Sequence, residues 1–182
     1  MAAPTLYILC GLPFAGKTTL ANALVRRFDL HRVVIDDING ERGLWDDEIG
    51  LSPEEWANTY QEAYRRIDAF LGAGESVIDD SVNFTRSLRD QLRDIARRRA
   101  AQAIVVFVDV SLDEARRRWR ANRQTAVRDD VRDADFANVA DHFEPPQADE
   151  EALHYDGTTP LGVWIDVTFH ALHPARHGDQ AR

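Results

Sequence analysis

Apolar runs and amphipathic segments alternate along the chain, which predicts strands and helices in turn. The first apolar run has the length of a buried strand, and apolar residues recur at helical spacing a few positions after it. The run over 103–110 is apolar on both faces, as in a central strand of a parallel sheet. The runs predicted to be strands cover residues 5–10, 32–37, 76–80, 103–110 and 162–167. This pattern is typical of an α/β fold.

Two capping patterns indicate where helices begin, because a serine side chain can accept the free N–H three residues later. Ser52 precedes Glu55 by three positions, and Ser111 precedes Glu114 by the same distance. Another helix is predicted over 133–143. Residues 38–51 contain several glycines and are predicted to form a loop.

The segment between the first strand and the first helix has the pattern Gly-x-x-x-x-Gly-Lys-Thr, the P-loop pattern. Its glycines let the backbone approach a phosphate chain, to which N–H groups and the helix N-terminus present partial positive charge. Lys17 is expected to reach the β- and γ-phosphates, and the Thr18 hydroxyl is expected to bind Mg²⁺. The predicted nucleotide-binding residues are Gly11, Leu12, Pro13, Phe14, Ala15, Gly16, Lys17, Thr18 and Thr19.

Lys17 is the only lysine among the 22 lysine and arginine residues of the chain. A compact ammonium suits phosphate binding in a tight loop better than a guanidinium does. The alternative is a glycine turn before an ordinary helix. A bias against lysine would explain why lysine is scarce but not why it occurs here, so the sequence favours nucleotide binding.

Two predicted strands end in paired acids. Open α/β sheets bind ligands at the carboxyl ends of their strands, and the P-loop pattern also lies at such an end. Asp36 or Asp37 is expected to accept the proton of an attacking hydroxyl, unless both only cap a turn. Asp80 is placed to bind Mg²⁺ through water or to orient the nucleophile. The alternative is that Asp80 only caps a helix N-terminus or lies in a turn.

Four residues are weaker candidates for contacts with a substrate: Asp37, Trp45, Asn83 and Arg86. Trp45 lies in the predicted loop, where it could stack on a substrate or pack beneath the loop. Asn83 and Arg86 follow the third predicted strand, and they could contact a substrate or a phosphate.

The helix that begins after Ser111 is rich in arginine. Arg116, Arg120 and Arg123 are spaced so that they share one face of this helix. That face is either solvated or able to close over a triphosphate and stabilise the transferring phosphoryl group. The predicted lid covers about residues 116–142.

Composition indicates a globular protein, since 29% of residues are charged and 44% are hydrophobic. The length favours one domain over residues 1–182. A net charge of −9 argues against a broad nucleic-acid-binding surface, although a local basic groove stays possible. Because there is no apolar run of membrane-spanning length and no leader, we expect a cytoplasmic protein without a membrane segment. Cys10 is expected to be a buried apolar side chain, and the histidine-bearing tail over about 171–182 is expected to be disordered.

Several of these segments together resemble the small P-loop kinases related to polynucleotide 5′-kinase, chloramphenicol phosphotransferase and zeta toxin. The resemblance covers about residues 5–146. It is carried by the P-loop pattern over 11–19, Asp36-Asp37, residues 80–86 with Arg89, the arginine-rich helix and Phe143-Glu144-Pro145-Pro146.

The resemblance implies a three-layer P-loop NTPase fold, with a five-stranded parallel sheet flanked by helices and an arginine-bearing lid. It also implies that Asp36 is the general base and that Asp80 is the acid ending the third strand. Arg120 and Arg123 match the lid arginines. The chain departs from the pattern in one place, because relatives often carry an arginine two or three residues after the base, where Ile38 and Asn39 stand here.

The function expected from these features is transfer of the γ-phosphoryl group of ATP, or alternatively of GTP, with Mg²⁺, to a hydroxyl. The acidic composition favours a small-molecule acceptor such as a drug, nucleoside or sugar. A polynucleotide 5′-hydroxyl kinase is one alternative. A nucleotide-dependent ATPase or switch protein without an acceptor is an alternative of another class.

Overall fold

The computed structural model describes residues 3–44 and 50–169. Trp45 and the C-terminal tail, both named above, lie outside these residues. Within the described part of the chain, no helix is long and apolar enough to cross a membrane.

Five strands form one sheet in the order β2-β3-β1-β4-β5, and every neighbouring pair is parallel. The central strand β1 therefore has β3 on one side and β4 on the other, so the loop after β1 emerges in the middle of the carboxyl edge. The strands are β1 (Thr5–Cys10), β2 (His31–Val34), β3 (Val77–Asp80), β4 (Gln102–Val108) and β5 (Leu153–Tyr155). The five-stranded parallel sheet is confirmed.

The described residues form seven α-helices and a short 3-10 helix over Ala148–Glu150. The predicted start at Ser52 is confirmed, because its hydroxyl accepts the Glu55 N–H at 3.2 Å and its own N–H donates to the Glu55 carboxylate at 2.7 Å. The helices are α1 (Lys17–Phe28), α2 (Ile35–Glu41), α3 (Pro53–Gly72), α4 (Arg86–Arg98), α5 (Leu112–Thr125), α6 (Asp133–Asp141) and α7 (Leu161–Phe169).

Helices cover both faces of the sheet and make three layers. Ile67 of α3 and Leu92 of α4 belong to the core on one face, where they pack with Leu6 and Ile8 of β1. On the other face, α1 and α7 pack against the alternate residues of the same strands. Because both faces are covered, the strands are continuous apolar runs.

The prediction of a strand over 162–167 is wrong, since these residues lie in α7 and the fifth strand is β5. Ile165 and Phe169, one turn apart, are buried against the core, which requires the helical period rather than alternation. The Phe169 ring lies 5.4 Å from that of Tyr7 and 5.8 Å from that of Phe28. A short apolar run does not distinguish a strand from a buried helix by itself.

The predicted second strand is also too long, because β2 ends at Val34 and α2 begins at Ile35. Asp36 and Asp37 consequently lie in the first turn of α2. The predicted loop over 38–51 is wrong at its start, because Ile38 and Asn39 lie in α2 and are buried.

A separate apolar cluster joins the predicted lid to the P-loop. Leu12 and Phe14 of the loop pack with Ala115 and Trp119 of α5 and with Phe136 of α6. The Trp119 and Phe136 rings are stacked with their centroids 4.4 Å apart. Side chains of the P-loop and of the predicted lid thus pack together in one apolar cluster.

Candidate active site

The loop after β1 has the backbone conformation that its glycines allow. A Cβ at Gly11 would lie 2.6 Å from the Val108 carbonyl oxygen, so the loop can pass this close to β4 only without a side chain. Gly16, with φ +114°, caps the N-terminus of α1. The first turn of α1 therefore presents its free N–H groups at the carboxyl edge of the sheet, where an anion is stabilised.

Lys17 is buried at the start of α1, and its ammonium folds over the loop. The Nζ atom donates to the carbonyl of Gly11 at 2.9 Å and to that of Leu12 at 2.8 Å. Burial lowers the pKa of this amine to about 8, while the carboxylates of Asp80 and Asp36 act in the opposite direction. The one lysine of the chain is thus positioned inside the P-loop.

Thr18 and Asp80 converge beside Lys17. The Thr18 Oγ1 atom lies 3.5 Å from Asp80 Oδ1, and Asp80 Oδ2 is buried without a hydrogen bond. The cation nearest to Oδ2 is Arg32, whose Nε lies 3.5 Å away. A hydroxyl and a carboxylate oxygen without a hydrogen bond are suitable ligands for Mg²⁺, which takes most of its other ligands from water and phosphate. The described residues hold no cluster of three or more histidine, cysteine, aspartate or glutamate side chains that could bind a metal ion.

Asp36 and Asp37 occupy the first turn of α2 but belong to different surroundings. Neighbouring protein desolvates the Asp36 carboxyl and raises its pKa, an effect that the charges of Arg128 and Lys17 oppose. Asp37 lines a groove of about 330 Å³ along the edge strand β2, together with Arg66. The charge of the P-loop lysine thus acts on Asp36.

Asn83 is buried and joins two strands. Its Nδ2 donates to the Leu9 carbonyl at 2.8 Å and to the Asp79 carboxylate at 2.6 Å. Burial raises the pKa of Asp79 to about 6, although the hydrogen bonds from Asn83 and Ser81 oppose this change. With both N–H bonds of its amide used inside the protein, Asn83 supports the carboxyl ends of β1 and β3 rather than contacting a substrate.

The two arginines at the start of α4 pair with acids of the 3-10 helix. Arg86 forms two hydrogen bonds to Asp149, at 3.1 and 2.7 Å, on the exposed surface. Arg89 is buried and pairs with Glu150 at 2.7 and 2.8 Å. Arg86 therefore has a carboxylate partner instead of a free guanidinium for a phosphate.

The arginines of α5 face several directions. Arg118 contacts the P-loop, since its Nη1 donates to the Ala15 carbonyl at 2.8 Å. Arg123 lies over the Trp119 ring at 4.3 Å and pairs with acids of the following segment, and Arg120 is exposed. The spacing argument predicted a shared face with Arg116, but it did not identify Arg118 as the residue that reaches the loop.

Arg128 is a second site residue that the sequence did not indicate. It lies in the loop between α5 and α6, with its guanidinium carbon 4.5 Å above the centre of the Phe14 ring. Its charge acts on Lys17, Asp36 and Asp80. No periodicity marks one arginine in a polar loop, so only the fold reveals its position.

A parallel sheet with this loop after its central strand, an acid at the end of the adjacent strand and an arginine-bearing segment above is the arrangement of the P-loop kinase fold. More particularly, the chain belongs to the AAA domain family AAA_33, whose family model matches residues 6–146.

Curated relatives match most of this chain. A Protein KTI12 homolog from Arabidopsis thaliana is 30% identical over 148 residues, which are 78% of this chain and 48% of that protein. The bifunctional enzyme NodQ of Rhizobium tropici is 27% identical over 90% of this chain and 26% of its own length. An adenylyl-sulfate kinase from Shewanella baltica is 29% identical over 81% of this chain and 71% of that enzyme. The chain thus spans half or less of the length of the first two.

Solved structures share the fold. Chaetomium thermophilum Kti12, in complex with ADP-AlF3, has a TM-score of 0.76 at 20% identity, over 95% of this chain and 100% of that one. A sugar kinase from Janibacter sp. HTCC2649 has a TM-score of 0.68 at 18% identity, over 96% of both chains. The APS kinase CysC of Mycobacterium tuberculosis, in complex with AMPPNP and APS, has a TM-score of 0.70 at 14% identity, over 95% of this chain and 99% of that one.

Proposed function

We propose that this protein transfers the γ-phosphoryl group of ATP to a hydroxyl of a small molecule, with Asp36 as the general base. The observation that carries the proposal is the position of Asp36, at the carboxyl edge of the sheet and within the electrostatic influence of Lys17 and Asp80. The raised pKa of Asp36 makes it a stronger base than a carboxylate with the ordinary pKa. Similarity to an adenylyl-sulfate kinase supports phosphoryl transfer as the reaction class.

The P-loop side chains would bind and orient the nucleotide. Lys17 would exchange its two carbonyl partners for the β- and γ-phosphates, and the N–H groups at Gly16 would hold the phosphate chain. Arg118 and Arg128 lie beside the loop, and the exposed Arg120 remains available to a closed lid. Positive charge at this place stabilises the negative charge that develops on the transferring group. Such stabilisation commonly raises the rate by about 10²–10³-fold per donor.

Thr18 and Asp80 would hold Mg²⁺, which would neutralise charge on the β- and γ-phosphates. Asp80 would bind it directly or through water, and its Oδ2, which accepts no hydrogen bond from the described residues, supports this assignment. Asp36 meanwhile takes the proton of the acceptor hydroxyl as the oxygen attacks phosphorus in line.

The residues of α2 that follow Asp36 differ from the pattern of the relatives that the sequence resembles. Ile38 and Asn39, at the positions where relatives often carry an arginine, are both buried. Arg42, at the end of α2, hydrogen-bonds to Thr59 Oγ1 at 2.6 Å and to the Glu55 carbonyl at 3.2 Å. These three residues of the α2 segment therefore offer no unpaired guanidinium to a phosphorylated acceptor.

The test is incubation of the protein with γ-labelled ATP and a panel of nucleosides, antibiotics, sugars and 5′-hydroxyl oligonucleotides. Label on a small molecule is the expected result, label on an oligonucleotide supports the polynucleotide kinase, and free phosphate alone supports the ATPase. Asp36→Asn should keep ATP binding and lose transfer by about 10²-fold or more, as expected for a general base. Asp37→Asn is the matched control, and retained transfer in Asp36→Asn would remove Asp36 from the role.

A further inference from the structure

Asn122 holds the loop between α5 and α6 from the inside. Its side chain is buried, its Nδ2 donates to the Arg128 carbonyl at 2.9 Å, and its Oδ1 accepts the Arg128 N–H at 3.1 Å. Both backbone groups of Arg128 are therefore bound by a single amide. A paired contact of this kind fixes the position of a loop residue, since either bond alone would still allow rotation.

Other contacts close the same loop around this amide. Trp119 Nε1 donates to the Val131 carbonyl at 2.9 Å and to Asp130 at 3.0 Å. Ala126, at the end of α5, has φ +47°, and its N–H donates to the Asn122 carbonyl. The loop thus leaves α5 by a sharp turn, and most of its length is bonded back to that helix.

The result is that Arg128 reaches the phosphate-binding loop. Its guanidinium lies above the ring of Phe14, which is itself buried in the cluster shared by the lid and the P-loop. Phe14 has φ +61°, a conformation that a bulky residue adopts only when its surroundings enforce it. The charge of Arg128 acts on Lys17 and Asp36 from this position.

We propose that Asn122 is a positioning residue that sets Arg128 against Phe14 before nucleotide binds, so that the lid arginine is already in place for phosphoryl transfer. This inference rests on the proposed function above. In this arrangement Asn122 touches neither nucleotide nor acceptor and acts through Arg128 alone. The orientation of Arg128 is achieved during folding rather than during each turnover.

The arrangement also affects the base. Asp36 faces the positive charges of Arg128 and Lys17 and the negative charges of Asp80 and Asp129. Removing or displacing Arg128 takes away the larger of the two favourable charges, so the pKa of Asp36 rises further. The acid limb of the kcat/KM profile, which reports groups of the free enzyme, then moves to higher pH.

The decisive experiment is a double-mutant cycle on phosphoryl transfer with Asn122→Ala and Arg128→Gln. Arg128→Gln should lower kcat/KM by about 10²-fold, as expected for loss of a charge-stabilising donor. Asn122→Ala should lower kcat/KM by about 10-fold and move the acid limb in the same direction as Arg128→Gln. In the Arg128→Gln background, Asn122→Ala should have almost no further effect on transfer. An equal cost in both backgrounds would overturn the proposal.

A second readout does not depend on activity. Trypsin cleaves after arginine, so Asn122→Ala should speed cleavage after Arg128 about 10-fold in the protein without nucleotide, because that bond becomes more often open. Asn138→Ala, a matched substitution at an exposed position of α6, should change neither cleavage nor transfer. Unchanged cleavage in Asn122→Ala would also overturn the proposal. A wild-type protein that transfers no phosphate would contradict the proposed function, whereas the cleavage result would still report on the loop.

Discussion

Thr18 Oγ1 and Asp80 Oδ1 lie 3.5 Å apart, across the gap between the first turn of α1 and the end of β3. Two oxygens at this separation, with a third one on Asp80 that accepts no hydrogen bond from the described residues, would form part of a coordination sphere that phosphate and water could complete. We expect Thr18→Val and Asp80→Asn each to weaken binding of Mg·ATP by about 10- to 100-fold, since each removes an oxygen ligand of a charged centre.

The control for this prediction is the same titration in the presence of EDTA. Without the divalent cation, Thr18→Val should bind ATP nearly as well as the wild type does. Isothermal titration calorimetry measures both affinities. Equal losses with and without Mg²⁺ would show that Thr18 acts on the phosphates directly and not through a cation.

Lys17 makes nucleotide binding depend on pH. Burial lowers the pKa of its amine to about 8, so the charged form is lost as the pH rises through this value. Phosphates bind the charged form, and affinity should therefore be constant below about pH 7 and fall by up to about tenfold per unit above pH 8. Fluorescence titration of an ATP analogue between pH 6 and pH 10 measures this profile. Lys17→Arg, which does not lose its proton in this range, should give weaker but pH-independent binding.

Gly11 tests whether the close approach of the P-loop to β4 is required. A methyl group at this position would lie 2.6 Å from the Val108 carbonyl oxygen. This oxygen belongs to the backbone and cannot move aside as a flexible side chain could. We expect Gly11→Ala to displace the loop, to lower the free energy of unfolding by about 2 kcal/mol or more, and to reduce nucleotide affinity. Gly43→Ala is the matched control, because Gly43 also has positive φ, +67°, but among the described residues no atom outside its chain neighbours lies within 4 Å of its added Cβ. It should show only the conformational cost and keep the affinity.

Much of this fold follows from local patterns that the tertiary structure does not override. The P-loop pattern, the buried run over 103–110 and the capping box at Ser52 all specify their own conformation. The run that became α7 does not, because its short apolar stretch fits either a strand or a helix, and contact with Tyr7 and Phe28 decides between them.

The site could be predicted where one residue type is needed at one place, as with Lys17 and Asp80. It could not be predicted where a side chain acts through the three-dimensional path of a loop. Arg118 and Arg128 reach the P-loop across about a hundred residues of sequence, and nothing in their spacing distinguishes them from the neighbouring arginines. Asn83 is a polar residue in a loop, as many ligand-binding residues are. It is buried, however, and its amide N–H groups donate to the Leu9 carbonyl and to the Asp79 carboxylate.

Arg89 and Glu150 form the most deeply buried ion pair among the described residues, with both side chains at 0% exposure. Arg89 Nη1 also donates to the Asn83 carbonyl at 3.0 Å, so the pair connects α4 and the 3-10 helix to the loop after β3. Arg89→Met should lower the free energy of unfolding by about 3–5 kcal/mol, because the carboxylate of Glu150 would remain buried with less compensation. Arg86→Gln, which breaks the neighbouring exposed pair with Asp149, should leave stability nearly unchanged.

The same pair makes stability depend on pH. Burial opposes the charge on Glu150, but hydrogen bonds from Arg89 and Arg93 outweigh it and hold the pKa of this carboxyl at about 2. A carboxyl with a lowered pKa stabilises the fold above its ordinary pKa, and this contribution is lost as the pH falls toward 2. The difference in unfolding free energy between the wild type and Glu150→Gln should therefore be largest above pH 5 and shrink steadily below it. Urea denaturation of both proteins at pH 7, 5 and 3 measures this difference, and a constant difference would mean that the charge of Glu150 does not stabilise the fold.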